Sequence, residues 1–494
     1  MFLVGSFLSA ASFLRATTFY VDSMLGSDLN SGVARSRPWK TLEKVNKSHF
    51  HPGDRILLGC GSRWEGQLIL SSSGADDAPI VIDWFGKGSL PRIDGNGTVE
   101  DVVHLENVEN VELRHLEVTN HGVAPGIRRG VLIAVTNFGT AHHLLVSDLY
   151  IHDVNGTNMR KETGGILFRT IGDKVPSRFD GLTIERNIIW KVDRSGIVGQ
   201  STEAVRTKWY PSLRVVIRDN FAEDIGGDGI VPWATDGALV EHNIVLHGNQ
   251  RSGDYNAGIW PWSTDNSLLK LNEVAFTHTT RDSEGFDSDY NSRNTHFLYN
   301  YSHDNEGGFM LICTPGVRNI DENIGNTGTV IEYNISRNDH TLIFNLSGAV
   351  AQTMVENNAV YVGSQDDVQV LVASNWDGWP NGAIFRANTF DVAGTGRYGH
   401  EVQRKPDGTY QIAPGWGDAR DIQFDANHYF GYNVDIPHDP AAVIVQHYRP
   451  AKLDWKEPVF NPAHPGQFSA YLAKHRRWML HLFARQFRKL PQLE

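Results

Sequence analysis

Residues 278–306 read HTTRDSEGFDSDYNSRNTHFLYNYSHDNE, the densest run of ionisable groups in the chain. Asp287 and Asp289 are two apart, so on a strand they share one face at roughly 6–7 Å between Cα atoms. Carboxylates this close do not all ionise cheaply. One is expected to hold its proton near neutral pH while its neighbour stays anionic. An acid beside a carboxylate is what glycosidic-bond hydrolysis needs: the acid protonates the leaving oxygen, and the carboxylate attacks or activates water. The expected catalytic pair is Asp287 and Asp289, with Glu306 and Glu284 as alternates in nearby turns. An oxygen-rich cluster of this kind is also the chemistry that binds Ca²⁺, although no regular calcium-loop motif is present.

The elements that would hold these acids show in a repeated phrase. Gly165-Ile166, Gly196-Ile197, Gly229-Ile230, Gly258-Ile259, Gly285-Phe286 and Gly308-Phe309 recur at intervals of 23 to 33 residues. That spacing is the mark of a coil-by-coil solenoid. Side chains alternate along a strand, so the residue after each glycine is assigned inward and the next outward. The outward rows are then Leu167, Val198, Val231, Trp260, Asp287 and Met310, and, two residues on, Arg169, Gln200, Trp233, Trp262, Asp289 and Ile312. Tryptophans beside carboxylates suit a sugar: indole faces stack on C–H surface and carboxylates handle hydroxyls. Trp233, Trp260 and Trp262 are therefore expected to form a stacking platform, with Arg169 holding any anionic group and Asp228, Asp254, His303 and Tyr290 lining the substrate. Cys313 is read as core packing.

A second ladder supports the register: Asn187, Asn220, Asn243, Asn272, Asn300, Asn334, Asn358, Asn388 and Asn427 each precede a short apolar run. Asparagine tolerates left-handed backbone and suits tight bends, so the ladder is structural. Sequons at such bends would be poor glycan sites. With TTFYVDSMLGSD, PWKTLEKVN, PGDRILL, APIVI and PRIDG near the start, the chain resembles the right-handed parallel β-helix proteins of the pectate-lyase-like superfamily over residues 17–435. The resemblance implies an all-β, single-stranded solenoid with a helical N-terminal cap and a carbohydrate ligand. It does not choose among lyase, hydrolase, epimerase and tailspike.

Composition sets outer bounds. The chain has 494 residues, 48 glycines and a net charge of −12, which argues against nucleic acid. Its two cysteines give no disulfide framework, and no stretch spans a membrane. Residues 1–17 are apolar and small, a signal remnant or extension, and export to a secreted or periplasmic location is the expectation. Residues 38–45 read as a capping helix, 18–435 as the β-helix, and 436–494 as an extension. Gln467–Lys489 is expected to be an amphipathic helix that packs on the solenoid; its basic residues include Arg488 and Lys489. Insertions at 157–164, 200–212, 246–257 and 395–419, among others, are expected to shape a cleft.

The function expected is a glycoside hydrolase acting on a polysaccharide or oligosaccharide, with no cofactor assigned and calcium as the alternative. A lyase of this fold carries a basic residue where this chain has Asp287 or Asp289, so β-elimination on a uronate is the second reading, with His303 or Tyr290 as base. A non-catalytic carbohydrate-binding solenoid is the third. The oligomeric state is left open.

Overall fold

The structure is a computed structural model that describes residues 16–278, 281–316, 322–364, 366–406, 409–417, 419, 421–446 and 455–487. Residues 1–15 of the expected signal remnant, and Arg488 and Lys489, lie outside them. Parallel strands stack coil on coil into a right-handed parallel β-helix. One coil contains the strands Arg178–Glu185, Ile188–Val192 and Ser195–Ser201. Each pairs with its counterpart in the next coil, as Thr183 with Val216, Ile188 with Phe221 and Ile197 with Ile230. The open end is closed by the strand Thr18–Val21 and the short helix Leu42–Asn46, which buries Leu42 and Val45 and is N-capped by Thr41. At the far end, pairing continues to Val443–Val445.

The glycines mark a corner where neighbouring coils come too close for a side chain. A Cβ on Gly196 would lie 2.5 Å from the Gly229 carbonyl oxygen, and one on Gly229 2.4 Å from that of Gly258. The residues that follow, from Ile166 through Ile259 to Phe286 and Phe309, enter one continuous apolar core.

The asparagines form a buried polar ladder through that stack. Each side-chain oxygen accepts from the backbone N–H and Nδ2 of the asparagine one coil earlier, as Asn272 Oδ1 does from Asn243 (both 3.0 Å). Each Nδ2 also donates to a strand carbonyl, and Asp439 takes the end of the ladder by accepting from Asn427. The left-handed residue at these bends is not the asparagine but the one before it, including Arg186, His242, Leu271 and Tyr299. The asparagines are selected for their amide groups, which satisfy backbone polar groups that water cannot reach.

The C-terminal helix Phe468–Phe487 lies along one face of the solenoid. Phe468, Tyr471 and Leu472 pack on Tyr150, Ile188, Phe221 and Ile244, while Met479, Leu482 and Phe483 pack on Tyr299, Tyr301 and Ile335. Among the described residues, no helix is long and apolar enough to cross a membrane. A buried polar network pins the helix. Glu273 accepts from His475 of the helix (2.5 Å) and from His303 (3.3 Å), whose other ring nitrogen meets Asp304 at 2.8 Å. Glu457 joins through Tyr301 and Arg337, both at 2.8 Å. Burial alone would lift Glu273, but His475 and His303 hold it down to about 2. Burial alone would lower His303, but Asp304 and Glu273 raise it to about 9. The Glu273 contribution to stability is thus present above about 4.5 and lost as pH falls towards 2; that of His303 is present below about 6.5 and lost as pH rises through 9.

His475→Ala is expected to cost about 3–5 kcal/mol, because it strands a buried carboxylate without one of its partners. Chemical denaturation measures the loss. Limited proteolysis should cut the extension of the unaltered protein faster above about pH 9 than at pH 6.

Candidate active site

One outward row runs from Leu132 through Leu167, Val198 and Val231 to Trp260, Asp287, Leu311, Asn345 and Val372. Its first part is apolar and covered. At Asp287 it turns acidic. The register beyond that point corrects the expected one by a residue: Phe286 pairs with Met310, so Met310 is inward and Leu311 lies beside Asp287. The cause is that two kinds of glycine recur. Gly308 pairs with Glu284, as Gly164 pairs with Ser195, and belongs one place before the Gly165 row. Gly164 and Gly308 both have positive φ (151° and 134°) and face a neighbouring carbonyl where a Cβ would clash. The shift moves Cys313 out of the core. Its thiol lies 3.1 Å from Asp289 Oδ1 and 3.9 Å from Asp287 Oδ1.

Four carboxyl groups converge here. Asp287, Asp289 and Cys313 each offer a donor atom within 4.8 Å of the others. Asp282, from the loop before the strand Glu284–Ser288, and Glu284 itself complete the group. All four are shifted upward, and burial is the largest cause in each. Asp289 rises only to about 6, because the Tyr290 N–H and the Cys313 thiol favour its ionised form. Asp282 rises to about 7 with Asp289 as its principal charged neighbour. Asp287 is pushed well above the usual range by Asp289 and Asp282, and Glu284 by Asp282. Access divides them differently: Asp282 and Asp289 are half-buried, whereas Asp287 is 6% exposed and Glu284 1%.

The surroundings come from insertions. Lys161 donates to Asp228 (2.9 Å) and to the Tyr255 carbonyl (2.8 Å), and its charge favours ionisation of Asp282, Asp287 and Asp289. On another side the strands Thr389–Arg404 and Tyr410–Pro414 form an antiparallel hairpin. The hairpin brings Tyr410 against Asn345, Glu284 and Asp282, and burial, with help from the two acids, pushes the Tyr410 hydroxyl up to about 12. An aromatic row flanks the cluster: Trp233 and Trp262 are 4.3 Å apart, Tyr290 meets Trp262 edge-on at 5.5 Å, and Trp376 meets Tyr290 at 6.0 Å.

Several expected site residues lie elsewhere. Trp260 is buried, not a stacking surface: it donates its indole N–H to Asp228 Oδ1 (2.9 Å) and lies under the Lys161 ammonium. Asp228 is wholly buried. Burial would raise its proton affinity, but Lys161 and Arg194 hold it below the usual range. Asp254 is half-exposed and 3.3 Å from Arg194. Glu306 is an exposed turn residue bonded to His278 (2.9 Å). Glu284 opens a strand and is not in a turn. His303 lies under the C-terminal extension, not in the cleft. Arg169 is half-buried four coils before Asp289, about 19 Å along the axis at about 4.8 Å per coil. Trp233, Trp262 and Tyr290 do flank the acids. Sequence reasoning missed Cys313, Lys161, Tyr410 and Trp376, and gave no role to Asp282. The insertions at 157–164 and 395–419 were the signals for Lys161 and Tyr410; Cys313 and Trp376 had none.

Two sets of donor atoms have metal-like spacing among the described residues: Asp287, Asp289 and Cys313, and Glu273, His303 and Glu457. The first includes a thiol, unlike the all-oxygen shell of calcium. The second has the Arg337 guanidinium 2.8 Å from Glu457.

No family profile matches the chain. A lacto-N-biosidase of Bifidobacterium longum subsp. longum is 29% identical over 456 residues, taking in 72% of this chain. The chain spans about 28% of the length of that curated relative. The crystal structure of a GH136 lacto-N-biosidase from Eubacterium ramulus matches with a TM-score of 0.64 at 25% identity, covering 87% of this chain and 68% of the other. A mannuronic acid-specific polysaccharide family 6 lyase from human gut microbiota matches with a TM-score of 0.51 at 10% identity, over 89% and 95% of the chains, and shares the fold.

The crowding of the acids has a thermodynamic consequence. A carboxyl with raised proton affinity keeps its proton in the folded state over a pH range in which the unfolded chain has released it. Stability is therefore lost as pH rises through that range. Asp287→Asn is expected to raise Tm by a few degrees at pH 7, with the gain fading below about pH 4, where native and unfolded Asp287 are both protonated. Thermal unfolding across pH checks this.

Proposed function

We propose that this chain is a glycoside hydrolase of the lacto-N-biosidase type, acting on an oligosaccharide. The observation that carries the reading is the four-carboxyl cluster, in which two accessible acids have staggered proton affinities near neutrality. Asp289, at about 6, is the anionic member and serves as nucleophile. Asp282, at about 7, is half-buried at the rim and protonates the leaving oxygen, then removes a proton from the incoming water. The expected pair was Asp287 and Asp289; burial makes Asp287 a protonated neighbour rather than the acid that reaches a leaving group. Trp262 and Tyr290 offer faces for a sugar ring beside Asp289. The lacto-N-biosidase relatives support the reaction class and an oligosaccharide substrate.

β-Elimination on a uronate is favoured less. It needs a free base and a cation for the substrate carboxylate, and Lys161 is already engaged by Asp228 and Tyr255.

Product analysis on a panel of neutral and uronate glycans tests the class. Products heavier by one water support hydrolysis; unsaturated, ultraviolet-absorbing products overturn it. Asp289→Asn is expected to lower kcat by at least about 10³-fold on every substrate. Asp282→Asn should lose about 10²–10⁴-fold on a natural glycoside, yet recover most of it on an aryl glycoside whose leaving group needs no proton. If Asp287→Asn shows that recovery and Asp282→Asn does not, the acid is Asp287.

A further inference from the structure

Among the described residues, the hydrogen bonds to the Asp289 carboxylate come from one side. Its Oδ1 accepts the Tyr290 backbone N–H at 2.7 Å and faces the Cys313 thiol at 3.1 Å. Both contacts fall on the same oxygen, so Oδ2 is the oxygen turned away from these two anchors. The thiol has one hydrogen to give, and Asp289 is nearer to it than Asp287, at 3.1 against 3.9 Å. Cys313 is not placed there by a mobile loop. It is the penultimate residue of the strand Gly308–Thr314, in register with Ser347 of the next coil. The Asn326 side chain fastens the two backbones together, donating to the carbonyls of Ser288 (2.5 Å), Asp289 (3.3 Å) and Cys313 (3.4 Å). The thiol is 5% exposed and both cysteines are free, so this group has no disulfide role.

We propose that Cys313 is a positioning residue: its S–H donates to Asp289 Oδ1, fixing the carboxylate so that Oδ2 faces the sugar. The inference rests on the reading of Asp289 as nucleophile. A donor on one oxygen fixes the carboxylate torsion, and a nucleophile that does not swing attacks from a constant direction. The same donor stabilises the anion, which matches the position of Asp289 as the lowest of the four raised acids. The other groups acting on Asp289 are Asp287 on its own strand, Asp282 in the preceding loop, Lys161 and Asp228 from earlier coils, and the Tyr290 hydroxyl.

The test compares Cys313→Ala with Cys313→Ser in the full chain, with Tm measured on both. Cys313→Ala is expected to lower kcat about tenfold with little change in KM, as for loss of one hydrogen bond to a charged group. It should also move the acidic limb of the kcat/KM profile upward by about one pH unit, since the anion loses a donor. Cys313→Ser keeps an O–H in place and should return both kcat and the limb towards those of the unaltered protein. A folded Cys313→Ala protein with an unmoved acidic limb overturns the inference. So does a folded Cys313→Ser protein that is no better than Cys313→Ala. Asp289→Asn separates this failure from that of the parent reading: if Asp289→Asn is active, the nucleophile assignment fails; if it is inactive while Cys313→Ala is unchanged, only the role of the thiol fails.

Discussion

The stacking of one coil on the next is the constraint from which the rest of this structure follows. Strands about 4.8 Å apart put like-numbered residues of every coil in a row, so a row can change character only where its residues do. The row through Leu167, Val198 and Val231 is apolar and covered, and it becomes acidic at Asp287. The cleft is therefore a substitution within a regular surface, not a separate structural unit. What makes it a cleft is the chain leaving the coil and returning, as the segment bearing Lys161 and the hairpin bearing Tyr410 do.

Much of this was legible because the solenoid writes its geometry into the sequence at a fixed period. The inward apolar row, the asparagine ladder and the packed C-terminal helix rest on local pattern, and the structure places them where the pattern puts them; the capping helix is present but starts at Leu42, four residues later than the pattern had it. The reading failed where the pattern was ambiguous by one residue. Gly308 looks like Gly165 but occupies the place of Gly164, and that single step hid Cys313 in the core and sent Met310 outward. The other misplacements concern contacts between segments far apart in the chain. Nothing near Trp260 announces that its N–H is taken by Asp228, and nothing near His303 announces a helix more than 150 residues later. Alternation gives the face a side chain is on; it does not give what covers that face.

The acids illustrate why spacing alone assigns roles poorly. Asp287 and Asp289 share a face as expected, but depth separates them, and Asp282 enters from a loop to which no periodicity applies. Four carboxyls in one place is a costly arrangement, set within a long regular stack. The asparagine ladder contributes here. It satisfies buried backbone groups at each bend, and so holds the strands beneath the cluster to one register.

A solenoid whose coils touch only their neighbours unravels piecemeal from its ends, since its stability is a sum of local terms. The C-terminal helix alters that here. It contacts rings from Tyr150 to Tyr333 and, through Gln486, the Tyr361 hydroxyl, and so spans coils that otherwise never meet. Its docking surface exists only once all of those coils have formed. The helix therefore works as a completion check on the coils it spans. It turns a one-dimensional array into a body that melts more nearly as one, and it closes over a finished stack in preference to a partial one.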